Sequence, residues 1–275
     1  MTDVAATTPE TVVADRERWT APDFIMSACA AAGLLLLWEG IVRFNNIATV
    51  VLPAPSSVMI ELWHLIASGI VFPHLQVTLV EVLAGFALGS FAAFVLGTVI
   101  ALFRVVDRIV YPYLIALQAV PKVALAPLLI IWFGFGIESK VFMTAIIAFF
   151  PVLVNTIVGI KSVEQDRLDL MTALQASRWK TFLYVRLPTA LPFIFAGLDV
   201  ASVLSVIGAI VGEFVGARAG LGYLLLSYNS NLRIAAVFAV LVILATIGIL
   251  LHTAVLLVQK RVMFWSSPST DRVVQ

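Results

Sequence analysis

Charge is scarce in this chain. Only 12% of its 275 residues are Asp, Glu, Lys or Arg, against about 25% in soluble domains, which excludes an ordinary solvated surface. Cysteine is nearly absent: Cys29 stands alone, so no intramolecular disulfide can form. Histidine is limited to His64, His74 and His252. Neither H-E-x-x-H nor G-x-S-x-G occurs, and no cluster of His, Cys or carboxylates suggests a metal or a nucleophile–base arrangement. The phosphate-cradling G-x-x-x-x-G-K-[ST] is missing as well. Gly159-Ile160-Lys161-Ser162 matches only its tail, without the upstream glycine. The chain thus carries no ATPase site of its own. Residues 1–21 hold Asp3, Glu10, Asp15 and Glu17, unlike the basic start of a secretory signal. Met26-Ser27-Ala28-Cys29 imitates a lipoprotein cleavage box, but the apolar run follows the cysteine instead of preceding it. Cys29 therefore reads as a packed membrane residue.

What the chain has in abundance is hydrocarbon, 61% of residues. Six apolar segments stand out, at 24–42, 75–103, 109–137, 141–160, 189–216 and 234–258. Each reaches the roughly 20 residues that cross a hydrocarbon core as a helix. Because backbone groups in lipid must bond internally, the fold class is all-α, a polytopic membrane protein with six transmembrane helices. With both termini cytoplasmic, Arg16, Arg18, Arg104, Arg108, Lys161, Arg167, Arg178, Lys180, Arg186, Lys260, Arg261 and Arg272 fall inside. Only Arg43, Lys140, Arg218 and Arg233 fall outside. Twelve against four is a positive-inside bias, and the near-neutral net charge of +1 hides it. Nothing in this pattern points to nucleic acid. The expected organisation is a cytoplasmic tail 1–22, a transmembrane domain 23–265 with one polar loop at 161–188, and a cytoplasmic tail 266–275.

Along the spans, Glu39 and Arg43 are placed to snorkel from the end of the first. Leu52-Pro53-Ala54-Pro55 leads into a short amphipathic helix with Val58, Leu62, Leu65 and Ile66 on one face and Ser56 or Ser57 to cap it. The second span carries Gly85-x-x-x-Gly89-x-x-x-Ala93-x-x-x-Gly97, a row of small residues for close helix packing. The third is too long for a simple span and holds Pro112, Pro121 and Pro127. Proline removes a helical hydrogen bond and kinks the helix. A break at 118–128 makes Gln118, Pro121, Lys122 and Pro127 candidates to line a translocation path, with Lys122 offering positive charge to an anion, and Glu213 near the outer end of the fifth span is a further candidate for that path. Most of the acids lie near span ends. Glu81 reads as wet, Glu213 as a gate or packing residue, and His252 as a packing histidine.

Between the fourth and fifth spans lies a polar island, Asp169–Pro192, reading DLMTALQASRWKTFLYVRLPTALP. It combines a short amphipathic helix, a basic turn at Arg178 and Lys180, and a return to the membrane at Val185-x-Leu187-Pro188. This order resembles the EAA coupling loop of ABC-importer permeases. Anchoring on Leu187 and Pro188 sets the acidic triplet at Asp169, Leu170 and Met171 and the glycine position at Gln175. Ala176, Ser177, Arg178, Trp179 and Lys180 then frame the contact. Gln175 lacks the easy positive φ of glycine, which predicts a more continuous helix here. Four further stretches are similar to the nitrate/sulfonate/taurine-type permeases: Leu52–Ser56, Pro121–Leu128, Trp132-Phe133-Gly134-x-Gly136, and Glu213 with Gly220-Leu221-Gly222-Tyr223.

The resemblance spans residues 30–265 and implies a type I ABC importer permease fold in a bacterial inner membrane. It implies as partners a second copy of this permease in a homodimer, two cytoplasmic ABC ATPase subunits, an extracytoplasmic solute-binding protein and membrane lipid. No cofactor is bound by this chain; ATP and Mg belong to the ATPase subunit. The cargo the resemblance implies is a small organic anion of the sulfonate, taurine or nitrate kind, or alternatively a pyrimidine-type vitamin precursor. A secondary transporter would need its own coupling-ion site and internal repeats, and neither is visible.

Overall fold

A computed structural model describes residues 21–265, and both expected tails lie outside those residues except at positions 21 and 22. Apolar runs with no water to bond must close their own backbone bonds, and only helices do so within one segment. Among the described residues the elements are accordingly eleven α-helices with a short 3-10 turn and a π turn. Five are long and apolar: α1 (Ala21–Phe44), α3 (Val71–Leu102), α6 (Ile137–Lys161), α9 (Leu187–Phe214) and α11 (Ile234–Val262). A sixth crossing is broken. Helix α4 (Arg104–Ala119) and the stretch Lys122–Phe133, which ends in α5 (Ala126–Phe133), meet at 88°.

The break has a local cause. Pro121 supplies no N–H and forces its predecessor out of helical geometry, and Val120 is indeed extended at φ −68°, ψ 127°. The other two prolines act differently. Pro112 is absorbed inside α4, and Pro127 occupies the first turn of α5, where the missing N–H has no partner to lose.

Helix α6 packs most extensively against α9 and α3, and these three form the centre. The row of small residues on α3 explains the approach. A Cβ on Gly89 would collide with the backbone of Ala145, and one on Gly208 of α9 would lie 2.8 Å from Thr144 Cα. Ala93 and Ala148 are fully buried in the same seam. Around it, α2 (Pro55–Ala67), α10 (Leu221–Ser230) and α11 share an apolar cluster through Val58, Leu65, Leu224 and Val240. Ile66, expected on the same face of α2 as Val58 and Leu65, is exposed.

Helix α1 is exposed along most of its length, and Cys29 lies on its exposed face instead of being packed. Its end is held by Glu39. That carboxylate accepts from Ser56 N at 3.0 Å and Ser56 Oγ at 2.7 Å, besides pairing with Arg43. Neither Ser56 nor Ser57 caps α2; the N-cap is Ala54. Glu39, expected only to snorkel, supplies the anion at that helix N-terminus.

Candidate functional site

The polar loop between α6 and α9 is built from two short helices. Helix α7 (Gln165–Ala173) and helix α8 (Arg178–Thr181) have no buried residue. The break between them sits at the expected glycine position. Gln175 takes φ +52°, its N–H reaches Thr172 O at 2.9 Å, and Ala176 N–H reaches Met171 O at 2.9 Å. This is a Schellman end, so the more continuous helix expected from Gln175 does not form. Ser177 then caps α8, its Oγ accepting from Lys180 N.

From α8 the chain runs without interruption through the π turn Phe182–Arg186 into α9. Pro188 has no N–H to return to Tyr184, and Leu187 N–H bonds instead to Phe182 O, five residues back. Asp169 accepts from Gln165 Nε2 at 2.8 Å, and Arg167 pairs with Glu164. Among the described residues Arg178 and Lys180 have no ion-pair partner. Leu170, Leu174 and Trp179 are all more than half exposed on this polar loop, while Met171, Ala176, Leu187 and Pro188 are half-buried.

At the α4–α5 break, Gln118, Pro121 and Pro127 are exposed and Lys122 is half-buried. Lys122 Nζ donates to Gln118 O at 3.3 Å and lies 4.7 Å from the centroid of the Phe150 ring. Its charge is thus turned to a carbonyl freed by the break and to an aromatic face. Phe150 is near the middle of α6, which sets Lys122 at mid-depth.

Glu213 is elsewhere, and it is not exposed to any path on this chain: the residue is 1% exposed. Its Oε1 accepts from Thr78 Oγ1 at 2.6 Å; its Oε2 accepts from Gly222 N at 2.6 Å and Tyr223 N at 3.2 Å. Leu221 N donates to Thr78 Oγ1 at 2.8 Å and Gly220 N to His74 Nδ1 at 3.0 Å. All four amides at the start of α10 are thereby satisfied by α3 and α9, and a carboxylate sits where the helix dipole favours one. The His74 ring stacks on Tyr223. Gly220, at φ +116°, passes against the Glu213 carboxylate so closely that a Cβ would clash.

Two further buried ionisable residues lie on the helices that border this cap. Lys140, 2% exposed, donates to Phe135 O at 2.7 Å and Gly136 O at 3.0 Å. Glu81, expected to be wet, is 2% exposed. The structure thus joins Glu213 to Thr78, Gly222 and Tyr223, with His74 on the neighbouring Gly220 amide, and separates it from Lys122. Lys140 and Phe150 are about 15 Å apart along α6 at 1.5 Å per residue.

Asp199, which the hydropathy pattern conceals in the middle of α9, contacts His252 of α11 through its Oδ1. His252 is thus a satisfied histidine packed between α11 and α9, as expected, with Asp199 as its partner.

Residues 85–264 match the family described as "Binding-protein-dependent transport system inner membrane component". The chain is 36% identical to the riboflavin transport system permease protein RibX of Chloroflexus aurantiacus, over 85% of this chain and 87% of that protein. It is 35% identical to the formylaminopyrimidine transport permease protein ThiX of Halalkalibacterium halodurans, over 84% and 92%. It is 31% identical to the putative aliphatic sulfonates transport permease protein SsuC of Bacillus subtilis, over 85% of each.

Proposed function

This chain belongs to the family of binding-protein-dependent transport system inner membrane components, and from that premise we propose that two identical copies of it form the path through which a small organic solute crosses a bacterial inner membrane. As an ABC-importer permease it is not itself an enzyme, and the ATPase is a separate subunit. The chain works with that ATPase and a solute-binding protein. In the proposed arrangement one ATPase subunit seats on each α7–α8 loop, and both termini are cytoplasmic.

One observation carries the coupling role. Leu170, Leu174 and Trp179 are exposed on a loop that is otherwise polar and outside the apolar spans. Exposed apolar groups rimmed by charge mark an interaction surface, and Arg178 and Lys180 supply the rim. Asp169 then offers its free oxygen to a basic residue of the ATPase. Movement of the seated loop is passed to α9, because α8 and α9 are one continuous helix. Alternating access follows as rigid movement of packed helices.

For the cargo, the Lys122 geometry supports one of two readings. Its ammonium is engaged by Gln118 O and Phe150, which weakens the case for an anion site there. A planar heterocycle of the pyrimidine or flavin kind, as named for two of the relatives, fits a path with a mid-depth aromatic such as Phe150. The second reading, a sulfonate-like anion, keeps one point in its favour: Lys122 is the cation at the break.

The experiment is ATP hydrolysis by the complex reconstituted in proteoliposomes, stimulated by binding protein loaded with riboflavin, formylaminopyrimidine, taurine or an alkanesulfonate. Stimulation by a heterocycle, unchanged in Lys122→Gln, supports the first reading. Stimulation by a sulfonate, lost in Lys122→Gln, installs the second. No stimulation by any of these loaded binding proteins removes both readings of the cargo.

A further inference from the structure

We propose, on the reading that two copies of this chain enclose the path, that the exposed strip of α9 between α5 and α11 is a wall of that path, and that Asp199 at its edge accepts N–H groups of an uncharged or cationic cargo. Asp199 and His252 are joined through Asp199 Oδ1 and His252 Nδ1, and their side chains remain 32% and 39% exposed. The second carboxylate oxygen, Oδ2, has no hydrogen-bond partner among the described residues, and it is not enclosed.

The pair sits deep. His252 is about 14 Å along α11 from Arg261 at 1.5 Å per residue, close to the middle of a ~30 Å hydrocarbon core. Helices α6 and α9 run antiparallel: Gly159 approaches Ala190, Gly197 approaches Pro151, and Gly208 approaches Thr144. Asp199 is therefore level with Phe150, and with Lys122 beside the Phe150 ring. An aspartate is too short to snorkel out from there. Ionisable residues at this depth face the interior of a bundle or a water-filled cavity rather than lipid.

The neighbouring surface is kept from lipid for a second reason. Around α9, at 3.6 residues per turn, Leu204 and Val211 pack in the cluster of Ala126 and Leu129 of α5. Next come Val200, Ile207 and Val203, each about half exposed, and then Asp199, turned to α11. One edge of the strip thus adjoins the helix that follows the Pro121 break, and non-helical backbone at membrane depth is tolerated only against protein or a cavity. The other edge is the Asp199–His252 pair.

A second copy laid flat on this strip would leave Oδ2 unpaired. The hydroxyls near this level on α9 and α11 are spent on their own helices: Ser202 Oγ donates to Asp199 O, Ser205 Oγ to Ser202 O, Thr246 Oγ1 to Val242 O and Thr253 Oγ1 to Ile249 O. The Lys122 ammonium is engaged at Gln118 O and Phe150. Water, or a cargo that brings a hydrogen, fills the position. With Asp199 ionised, the pair carries one negative charge or none, according to whether the imidazole is neutral or protonated, and in neither form does it present an unpaired cation. It disfavours a sulfonate and suits the N–H edge of a heterocycle, with the aromatic face of Phe150 at the same level.

The test uses the complex of permease and ATPase reconstituted in proteoliposomes and has two arms. The first needs no cargo: in a Cys29→Ser background, Val203→Cys is compared with Leu250→Cys, which is exposed in the apolar groove between α11, α2 and α3. A cationic, membrane-impermeant methanethiosulfonate should label Val203→Cys and leave Leu250→Cys unlabelled. The second arm is ATP hydrolysis stimulated by binding protein loaded with riboflavin, formylaminopyrimidine or an alkanesulfonate, in the wild type and Asp199→Asn, with Asp199→Ser in its place should that variant not accumulate. Stimulation by a heterocycle should fall about tenfold, as for the loss of one hydrogen bond to a charged acceptor, and stimulation by the sulfonate should not fall. An unlabelled Val203→Cys, or a disulfide joining two such copies without labelling, overturns the wall. A wild type stimulated by the sulfonate alone, or equal losses for both cargo classes in Asp199→Asn, overturns the acceptor. If no loaded binding protein stimulates the wild type, the donor-bearing cargo falls with the readings above, and labelling alone decides the wall.

Discussion

Gln175→Gly should stabilise the α7–α8 loop, and the size of the effect follows from the backbone. Gln175 holds φ +52° at the Schellman end of α7, a conformation that costs an ordinary L-residue about 1–2 kcal/mol. Glycine removes that cost but enlarges the entropy of the open chain, giving back about 0.4–1 kcal/mol. Gln175 is exposed, so truncating its side chain sacrifices no packing. The net gain is roughly 0.5–1 kcal/mol, which at 1.4 kcal/mol per decade is about 2- to 5-fold in the closing equilibrium. Hydrogen exchange of the Gln175 and Ala176 amides, whose bonds to Thr172 O and Met171 O close the motif, should slow by that factor in the purified permease. Gln175→Ala, which keeps the strain, should leave the rate nearly unchanged. Gln175→Val should speed it, since a β-branched residue tolerates positive φ least. Exchange that slows equally in the Gly and Ala variants, or that quickens with Gly, would refute the reasoning.

Gly89→Leu should cost about 3 kcal/mol or abolish assembly, the upper end of overpacking, because its side chain would enter the backbone of Ala145. Gly33→Leu, with nothing within 4 Å, should shift the thermal midpoint by no more than a surface change does, about 0.5 kcal/mol. Lys140→Met removes the donor from Phe135 O and Gly136 O. Thermal unfolding should report a loss of about 1–3 kcal/mol, as for buried acceptors left without a donor. Asp169→Arg combined with Arg178→Glu should leave unfolding unchanged and lower ATP hydrolysis stimulated by loaded binding protein by on the order of tenfold or more. Full stimulation in that double variant would reduce the loop to a topological anchor.

The spans were legible because hydrocarbon permits few alternatives, and the break at Pro121 because a proline constrains its own residue and the one before it. The Glu213 cap was half visible. His74, Thr78, Glu81, Gly85, Gly89, Ala93 and Gly97 recur at spacings of three or four, so one face of α3 is polar at one end and small at the other. Reading Glu81 by itself misses the stripe and yields a solvated acid; reading it with His74 and Thr78 points to a buried polar site. The partners were not legible. Gly222 and Tyr223 reach that stripe only because α10 folds back across α3, a contact spanning 143 residues for Leu221 and Thr78. Gln175 misled for a different reason. Propensity disfavours glutamine at positive φ, but the polar hydrogen bonds of the Schellman end outweigh a cost of one or two kcal/mol. Lys122 could not be judged without Phe150, which is 28 positions away in the chain and beside it in space.

One element joins the two sites. The helix from Arg178 to Phe214 runs 37 residues through a π turn without interruption, about 55 Å at 1.5 Å per residue. At one end it carries Arg178, Trp179 and Lys180 on the exposed loop; one residue before the other end it carries Glu213. Its middle is clamped on α6 by small residues, with Gly197 and Gly208 against the backbones of Pro151 and Thr144. Such a seam resists bending, because close-packed helices have no side-chain layer to deform. A displacement imposed on α8 therefore reaches Glu213 as a movement of the whole rod relative to α3, which holds Thr78 and His74. The amides of α10 are shared between those two helices. Any shear of α9 past α3 must break one set of these bonds or carry α10 along, so the cap is where motion at the loop becomes motion at the opposite end.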